Sequence, residues 1–404
     1  MISFDNSEYA FAYKSTKDLK KAHFLFSVMG NSFLLNAGLK IIPVCVKWSI
    51  PFTNPILRST IFHQFIGGET LEQTAAVADK LEAYKVQVIL DYGVEGGGNG
   101  EQGFDHATDE FIRVINYAAS QHNIPYMSVK VTGISRFALL EKLDVAMSKE
   151  EGTLIKKYSS VLEQLEAAEK EEWNRVVARL KRICETAVEK NISVLIDAEE
   201  TWIQDPVDAI TMLMMSEFNK TKAVIYNTAQ LYRHDRLAFV KACYEAAVER
   251  NFIFGIKIVR GAYMENERKR AAEMGYPSPI QPDKESSDRD FNAAMEFCID
   301  HLDKIALIIA SHNEFSNLLG TQLLQKKGLP LNHPHVHFSQ LYGMSDNITF
   351  NLAKEGCSVS KYLPFGPIKD VVPYLLRRAQ ENSSVAGQTG RELSLIKKEL
   401  QRRG

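Results

Sequence analysis

Residues 358–382 read SVSKYLPFGPIKDVVPYLLRRAQEN, a short strand running into a helix. Ser358 to Leu363 supplies the strand, and Pro364-Phe365-Gly366 turns the chain. Pro367 suits a first helical turn, where its missing N–H has no partner to lose, whereas Pro373 forgoes a hydrogen bond and kinks the helix. Ile368, Val371, Val372, Leu375, Leu376 and Ala379 recur at helical spacing as one apolar stripe. Tyr374, Arg377, Arg378 and Glu381 fall on the other side. Two neighbouring guanidiniums converge on a single anion, and their fork geometry matches a carboxylate best. The bland alternative is a solvated face, since surface charge is the norm on helices. A helix that follows the C-terminal end of a strand lies where barrel enzymes place their chemistry, and this favours a site.

The same strand-then-helix pattern recurs along the chain, which indicates βα units rather than a sandwich. Eight strands are expected: Val86–Asp91, Met127–Val131, Ser193–Ala198, Ala223–Thr228, Phe254–Val259, Ile305–Ala310, His335–Gln340 and Ser358–Leu363. Eight such units in about 300 residues match an α/β fold of the (β/α)8 TIM-barrel type. A doubly wound open sheet is the runner-up, but no GxGxxG follows the first strand, and the glycine run at 96–100 lacks the spacing of a pyrophosphate loop. Residues 1–84 are expected as a helical N-terminal segment, 85–384 as the barrel and 385–404 as a polar C-terminal tail. Glu150 to Asn191, between the second and third strands, reads as an inserted helical hairpin within about 145–190.

Composition narrows the function classes. The chain has 404 residues, is 45% hydrophobic and carries a net charge of -2, so a large core is affordable in size and no basic surface for nucleic acid is indicated. Cys45, Cys184, Cys243, Cys298 and Cys357 are scattered with no CxxC, which suggests neither a disulfide framework nor a zinc site and fits a reducing compartment. No signal peptide and no stretch of 18 uninterrupted apolar residues is seen, so a cytoplasmic location, with peripheral contact at an inner membrane, is expected. Phe24 to Phe65 is dense in apolar and aromatic residues; buried helical packing is the first reading and a membrane-facing surface the second.

The strand ends are polar. Lys130 ends the second strand, Asp197 the third, Gln230 follows the fourth, Lys257 lies within the fifth, and Ser311-His312-Asn313 closes the sixth. Singly, each reads best as a structural residue. Together they make a polar rim suited to an anionic ligand and a large cofactor. Gly261-Ala262 after the fifth strand offers backbone that approaches a phosphate closely.

As a set, IDAEE at 196–200, Gln230, KIVRGAYMENER at 257–268, ASHN at 310–313, FSQLYGM at 338–344, YLPFGP at 362–367 and YLLRRAQENSS at 374–384 resemble the proline dehydrogenase family. The resemblance implies a distorted (β/α)8 barrel with FAD held non-covalently at the strand ends and a final helix across the mouth. It implies that Arg377, Arg378 and Lys130 hold the carboxylate of L-proline, that Asp197 and Tyr362 line the proline pocket, and that Glu95 gates it with Arg377. FAD contacts would come from Ala198, Gln230, Lys257, Val259, Arg260, Gly261, Ala262, Tyr263, Ala310, Ser311, His312, Asn313, Leu341 and Glu381. The product would be Δ1-pyrroline-5-carboxylate, with electrons passed to a membrane quinone, which gives the apolar N-terminal segment a purpose. Members fused to an aldehyde dehydrogenase usually carry arginine where Lys257 stands and tryptophan where Met264 stands, so the chain resembles the monofunctional, eukaryote-like branch.

Rival readings are another flavin barrel such as a methylenetetrahydrofolate reductase, a hydroxyproline dehydrogenase, and a non-catalytic barrel-scaffold binding protein. The paired arginines oppose the first, and Tyr362 the second, because that group tends to have a smaller residue there. His333, His335 and His337 alternate on one strand face, but no carboxylate or cysteine completes a metal site, and no metal is expected.

Overall fold

The structure of the protein, a computed structural model, describes residues 2–93, 100–384 and 386–404, without the side chains of residues 32 and 381–389. Eight strands are formed among the described residues: β1 Gln87–Tyr92, β2 Tyr126–Val129, β3 Ser193–Ile196, β4 Ile225–Gln230, β5 Phe254–Val259, β6 Ile305–Ala310, β7 Val336–Leu341 and β8 Val359–Phe365. They close into a barrel in sequence order. β1 pairs parallel with β8, placing Ile89 opposite Tyr362 and Asp91 opposite Pro364. β3 and β4 are buried at every position, as parallel strands covered on both faces are; β3 reads as a continuous apolar or small-residue run, whereas β4 also buries Asn227, Thr228 and Gln230.

β5 and β6 have the expected bounds, while the others shift by a residue or two. β2 stops at Val129, so Lys130 is the residue beyond the strand and begins the 3-10 turn Val131–Gly133. β3 stops at Ile196, leaving Asp197 outside it, with its N–H donating to Val129 O at 2.9 Å. β4 runs on to Gln230 because its ladder with β5 continues to the Gln230–Val259 pair.

Between β2 and β3 lie Phe137–Met147, Leu154–Gln164 and Ala167–Lys190. The last packs on the helix Gly100–Ala119 and on β3, as a barrel's own crossover helix does, so the additional elements are the two shorter helices. Arg179 on this long helix is buried and paired with Glu101 and Asp105. The segment expected as a polar tail forms the helix Ala386–Arg403, with Leu395 and Ile396 buried. Its charged residues dominate the composition and conceal a narrow apolar stripe.

Two compact units make up the chain: Met1–Val94 with His312–Leu318 and Phe338–Gly404, and Glu95–Ser311 with Leu319–His337. In the first, Phe11, Phe26, Phe65, Val371, Leu375 and Ile396 belong to one core. The expectation of buried packing across Phe24 to Phe65 therefore holds for one face only. Phe33, Trp48 and Phe52 are 79%, 72% and 78% exposed, and Phe24, Leu34, Ile41, Val44, Ile50 and Ile56 are exposed as well. No single helix among the described residues is long and apolar enough to cross a membrane.

Candidate functional site

In the second unit three strand ends bring their charges together. The Asp197 carboxylate accepts from Lys257 Nζ at 2.5 Å through Oδ1 and from Lys130 Nζ at 3.4 Å through Oδ2. Asp197 and Lys257 are buried and Lys130 nearly so. Charges removed from water in this way persist only where they are paired and hydrogen-bonded. Two ammonium groups, one just beyond β2 and one within β5, converging on the Asp197 carboxylate suit an anionic ligand, and this is the observation on which a fit for a flavin ring or a substrate carboxylate rests.

Gln230, 2% exposed at the end of β4, links the neighbouring loops: its Nε2 donates to Glu199 O at 2.7 Å, and its Oε1 accepts from Ala262 N at 3.4 Å. Ala198 is half-buried between Asp197 and Glu199. Val259 ends β5, and Arg260 beyond it pairs with Asp288 at 2.6 Å, donates to Ser311 Oγ at 2.8 Å and lies over the Phe291 ring. Gly261 has φ +141°, and a Cβ there would lie 2.4 Å from Tyr232. The glycine is thus required by a tyrosine ring as well as by its backbone. Tyr263 precedes the helix Met264–Met274, and Ala310 ends β6.

The first unit holds the remaining predicted residues. On the helix Ile368–Ser384 the apolar stripe is buried as expected. The opposite side is not a solvated face. Arg378 is 5% exposed, with its guanidinium 5.0 Å from the Tyr374 ring centre, Tyr374 is itself buried, and Arg377 is half-buried. A cation over an aromatic face is held in a defined direction. Tyr362 is half-buried in β8, on the same side of the strand as Ser360, which meets Ser339. His312 Nδ1 lies 2.9 Å from Ser345 Oγ, Asn313 caps the helix Glu314–Lys326 by accepting from Ser316 N at 3.0 Å, and Leu341 ends β7. Glu95 and the Glu381 side chain lie outside the described residues.

Of the three histidines read as a strand-face row, His335 binds Leu302 O, and His337 is buried against Tyr126, where burial holds it neutral by lowering its pKa to about 3. Two charged groups escaped the sequence reading. Lys361, fully buried, pairs with Asp346 at 2.9 Å, and Lys14 meets the same carboxylate at 3.0 Å. Burial alone would raise the Asp346 pKa, but Lys14 and Lys361 bring it down to about 2. The available signal was a lysine alternating with Ser360 and Tyr362, hence on the strand's other face, where it needs a partner. The second is Glu199, inside the IDAEE segment, which burial lifts to about 7 against the pull of Lys130 and Thr132.

The family profile described as "Proline dehydrogenase" matches residues 74–391. The chain is 30% identical to proline dehydrogenase 1, mitochondrial, of Dictyostelium discoideum, over 100% of this chain and 75% of that protein. It is 35% identical to the carbapenem antibiotics biosynthesis protein CarD of Pectobacterium carotovorum, over 86% of this chain and 85% of that one. It is 31% identical to a hydroxyproline dehydrogenase of Xenopus laevis, over 86% and 78%. Among solved structures, proline utilization A of Bdellovibrio bacteriovorus superposes with a TM-score of 0.71 at 20% identity, covering 94% of this chain but 38% of that longer one.

Proposed function

We propose a function from one premise: the chain belongs to the proline dehydrogenase family and is an oxidoreductase of that kind. It oxidises L-proline to Δ1-pyrroline-5-carboxylate, holds FAD non-covalently at the strand ends, and passes the electrons to a quinone. The observation that carries this reading is the pair of lysines, from β2 and β5, that meet on Asp197 beyond β3. FAD, when bound, supplies the hydride acceptor that no side chain provides.

The protein's own part is positioning and charge. Lys257, buried within β5, would present its positive charge to the flavin ring, and Gln230 and the 261–263 loop would hold the cofactor beside it. Lys130, Arg377 and Arg378 receive the substrate carboxylate, the two arginines through bidentate forks, so that the ring carbon next to nitrogen is presented to the acceptor. Asp197 sets the direction of Lys130 and Lys257, and Tyr362 packs on the substrate ring. We assign the barrel to about 85–384. A hydroxyproline substrate is the second reading, supported by the Xenopus relative.

A quinone acceptor lies in a membrane, and the exposed apolar side chains from Phe24 to Ile56 are suited to peripheral contact there. Between Asp18 and Glu69 there is no acidic residue, while Lys20, Lys21, Lys40, Lys47 and Arg58 are basic, a balance that favours an anionic lipid surface. The test is anaerobic titration of the purified protein with L-proline. A yellow protein whose flavin bleaches is expected; a colourless protein unable to take up FAD would sink the proposal.

A further inference from the structure

Glu199 is a buried acid that the proposed chemistry leaves unused. It is 7% exposed, and both carboxylate oxygens face Thr132: the threonine hydroxyl lies 3.0 Å from Oε1 and 2.8 Å from Oε2, and the Thr132 N–H lies 3.4 Å from Oε1. Thr132 sits in the turn Val131–Gly133, and Lys130 is the residue that opens that turn. The backbone of Glu199 is fixed independently, since its N–H donates to Gln204 Oε1 at 3.0 Å and its carbonyl accepts from Gln230. The acid therefore holds the lysine's turn from a rigid base.

Lys130 and Glu200 are the charged groups that act on Glu199; Asp197 and Lys257 stand behind Lys130. Burial raises the acid most, Lys130 and Thr132 oppose it, and the balance lies at about 7. It is thus poised where a nearby charge decides its protonation.

We propose that Glu199 is a proton-linked positioning residue for Lys130: when a ligand carboxylate arrives at that lysine, Glu199 takes up one proton from solvent onto a carboxylate oxygen. This rests on the reading that Lys130 receives the substrate carboxylate. A second anion beside a buried carboxylate is a like charge, and protonation removes the repulsion. By linkage, the ligand then binds more tightly where the acid form is favoured.

The test uses the FAD-loaded protein and cyclopentanecarboxylate, an acid of proline's shape with no amine to ionise. Calorimetry at pH 7 in phosphate and in Tris, whose ionisation heats differ, counts protons. Uptake of a substantial fraction of a proton per ligand is expected, with Kd tightening about fivefold from pH 8 to pH 6 for a rise of about one unit in the acid on binding. Glu199→Gln keeps the shape and one acceptor; it should abolish the uptake and flatten the pH dependence. No uptake in the unaltered protein, or uptake that survives Glu199→Gln, would overturn the proposal, and the first measurement needs no variant to fold. Lys130→Met separates the two readings. Affinity unchanged in that variant removes the premise about Lys130, whereas affinity lost in Lys130→Met without any proton uptake in the original protein removes only the role of Glu199.

Discussion

Lys257 Nζ lies 2.5 Å from Asp197 Oδ1, with both side chains buried, so each group meets an opposite charge where water is excluded. Asp197→Asn keeps the volume but takes away the carboxylate that both lysines share. Breaking a buried pair by removing one partner costs about 3–5 kcal/mol, far more than the pair's net worth. We expect a loss of that order in chemical denaturation together with a steep fall in kcat/KM. A variant with full stability and full activity would remove Asp197 from the site.

Arg378→Met keeps length and stem packing while removing the guanidinium that lies over Tyr374. Losing a charge-assisted contact of about 1.5–3 kcal/mol should raise KM for proline at least tenfold. The flavin spectrum should be retained. An unchanged KM would assign this buried arginine to structure alone.

Tyr362→Ser tests which ring fits. A phenol beside the substrate leaves no volume for a 4-hydroxyl, and steric exclusion of one polar group changes discrimination by about one to two orders of magnitude. Efficiency with proline should fall and hydroxyproline should become relatively less disfavoured. The check is the ratio of kcat/KM for the two substrates; an unchanged ratio, or an original enzyme that already prefers hydroxyproline, defeats the assignment.

Gly261→Ala forces a Cβ to within 2.4 Å of the Tyr232 ring at φ +141°. The loop must shift, and Ala262, whose N–H meets Gln230, shifts with it. We expect weaker flavin retention on gel filtration, with the secondary structure content unchanged by circular dichroism.

Stability should rise on mild acidification. Burial raises Asp144 to about 7 from 3.8, with Asp205 adding to it, and raises Glu199 to about 7 from 4.5. A carboxyl with a raised folded pKa contributes stability that is present below its unfolded value and is lost as pH rises through 7. Asp346, lowered to about 2, acts only below about pH 4, where its contribution disappears. Between pH 8 and 5.5 each raised group should add roughly 2 kcal/mol, and Tm should climb accordingly. Glu199→Gln and Asp144→Asn should each flatten the curve; a Tm that falls over this range in the original protein contradicts the burial argument.

The sequence by itself determined the eight βα units and the apolar stripe of the arginine helix. Both are local periodicities: strands covered on two faces are mostly apolar or small along their length, and a helix docked on one side must repeat its apolar residues every three or four positions. The set of polar strand ends was legible for the same reason, because strand order places them on one rim. Only the tertiary structure decided their partners. No spacing in the chain says that Lys130 and Lys257 share Asp197, that Lys361 finds Asp346 as its partner, or that Thr132 meets Glu199. Nor does composition say which apolar side chains are covered: Phe26 and Phe65 are fully buried while Phe33 and Phe52 face outward. Burial and charge pairing depend on which surfaces meet in space, and those meetings join residues far apart in the chain.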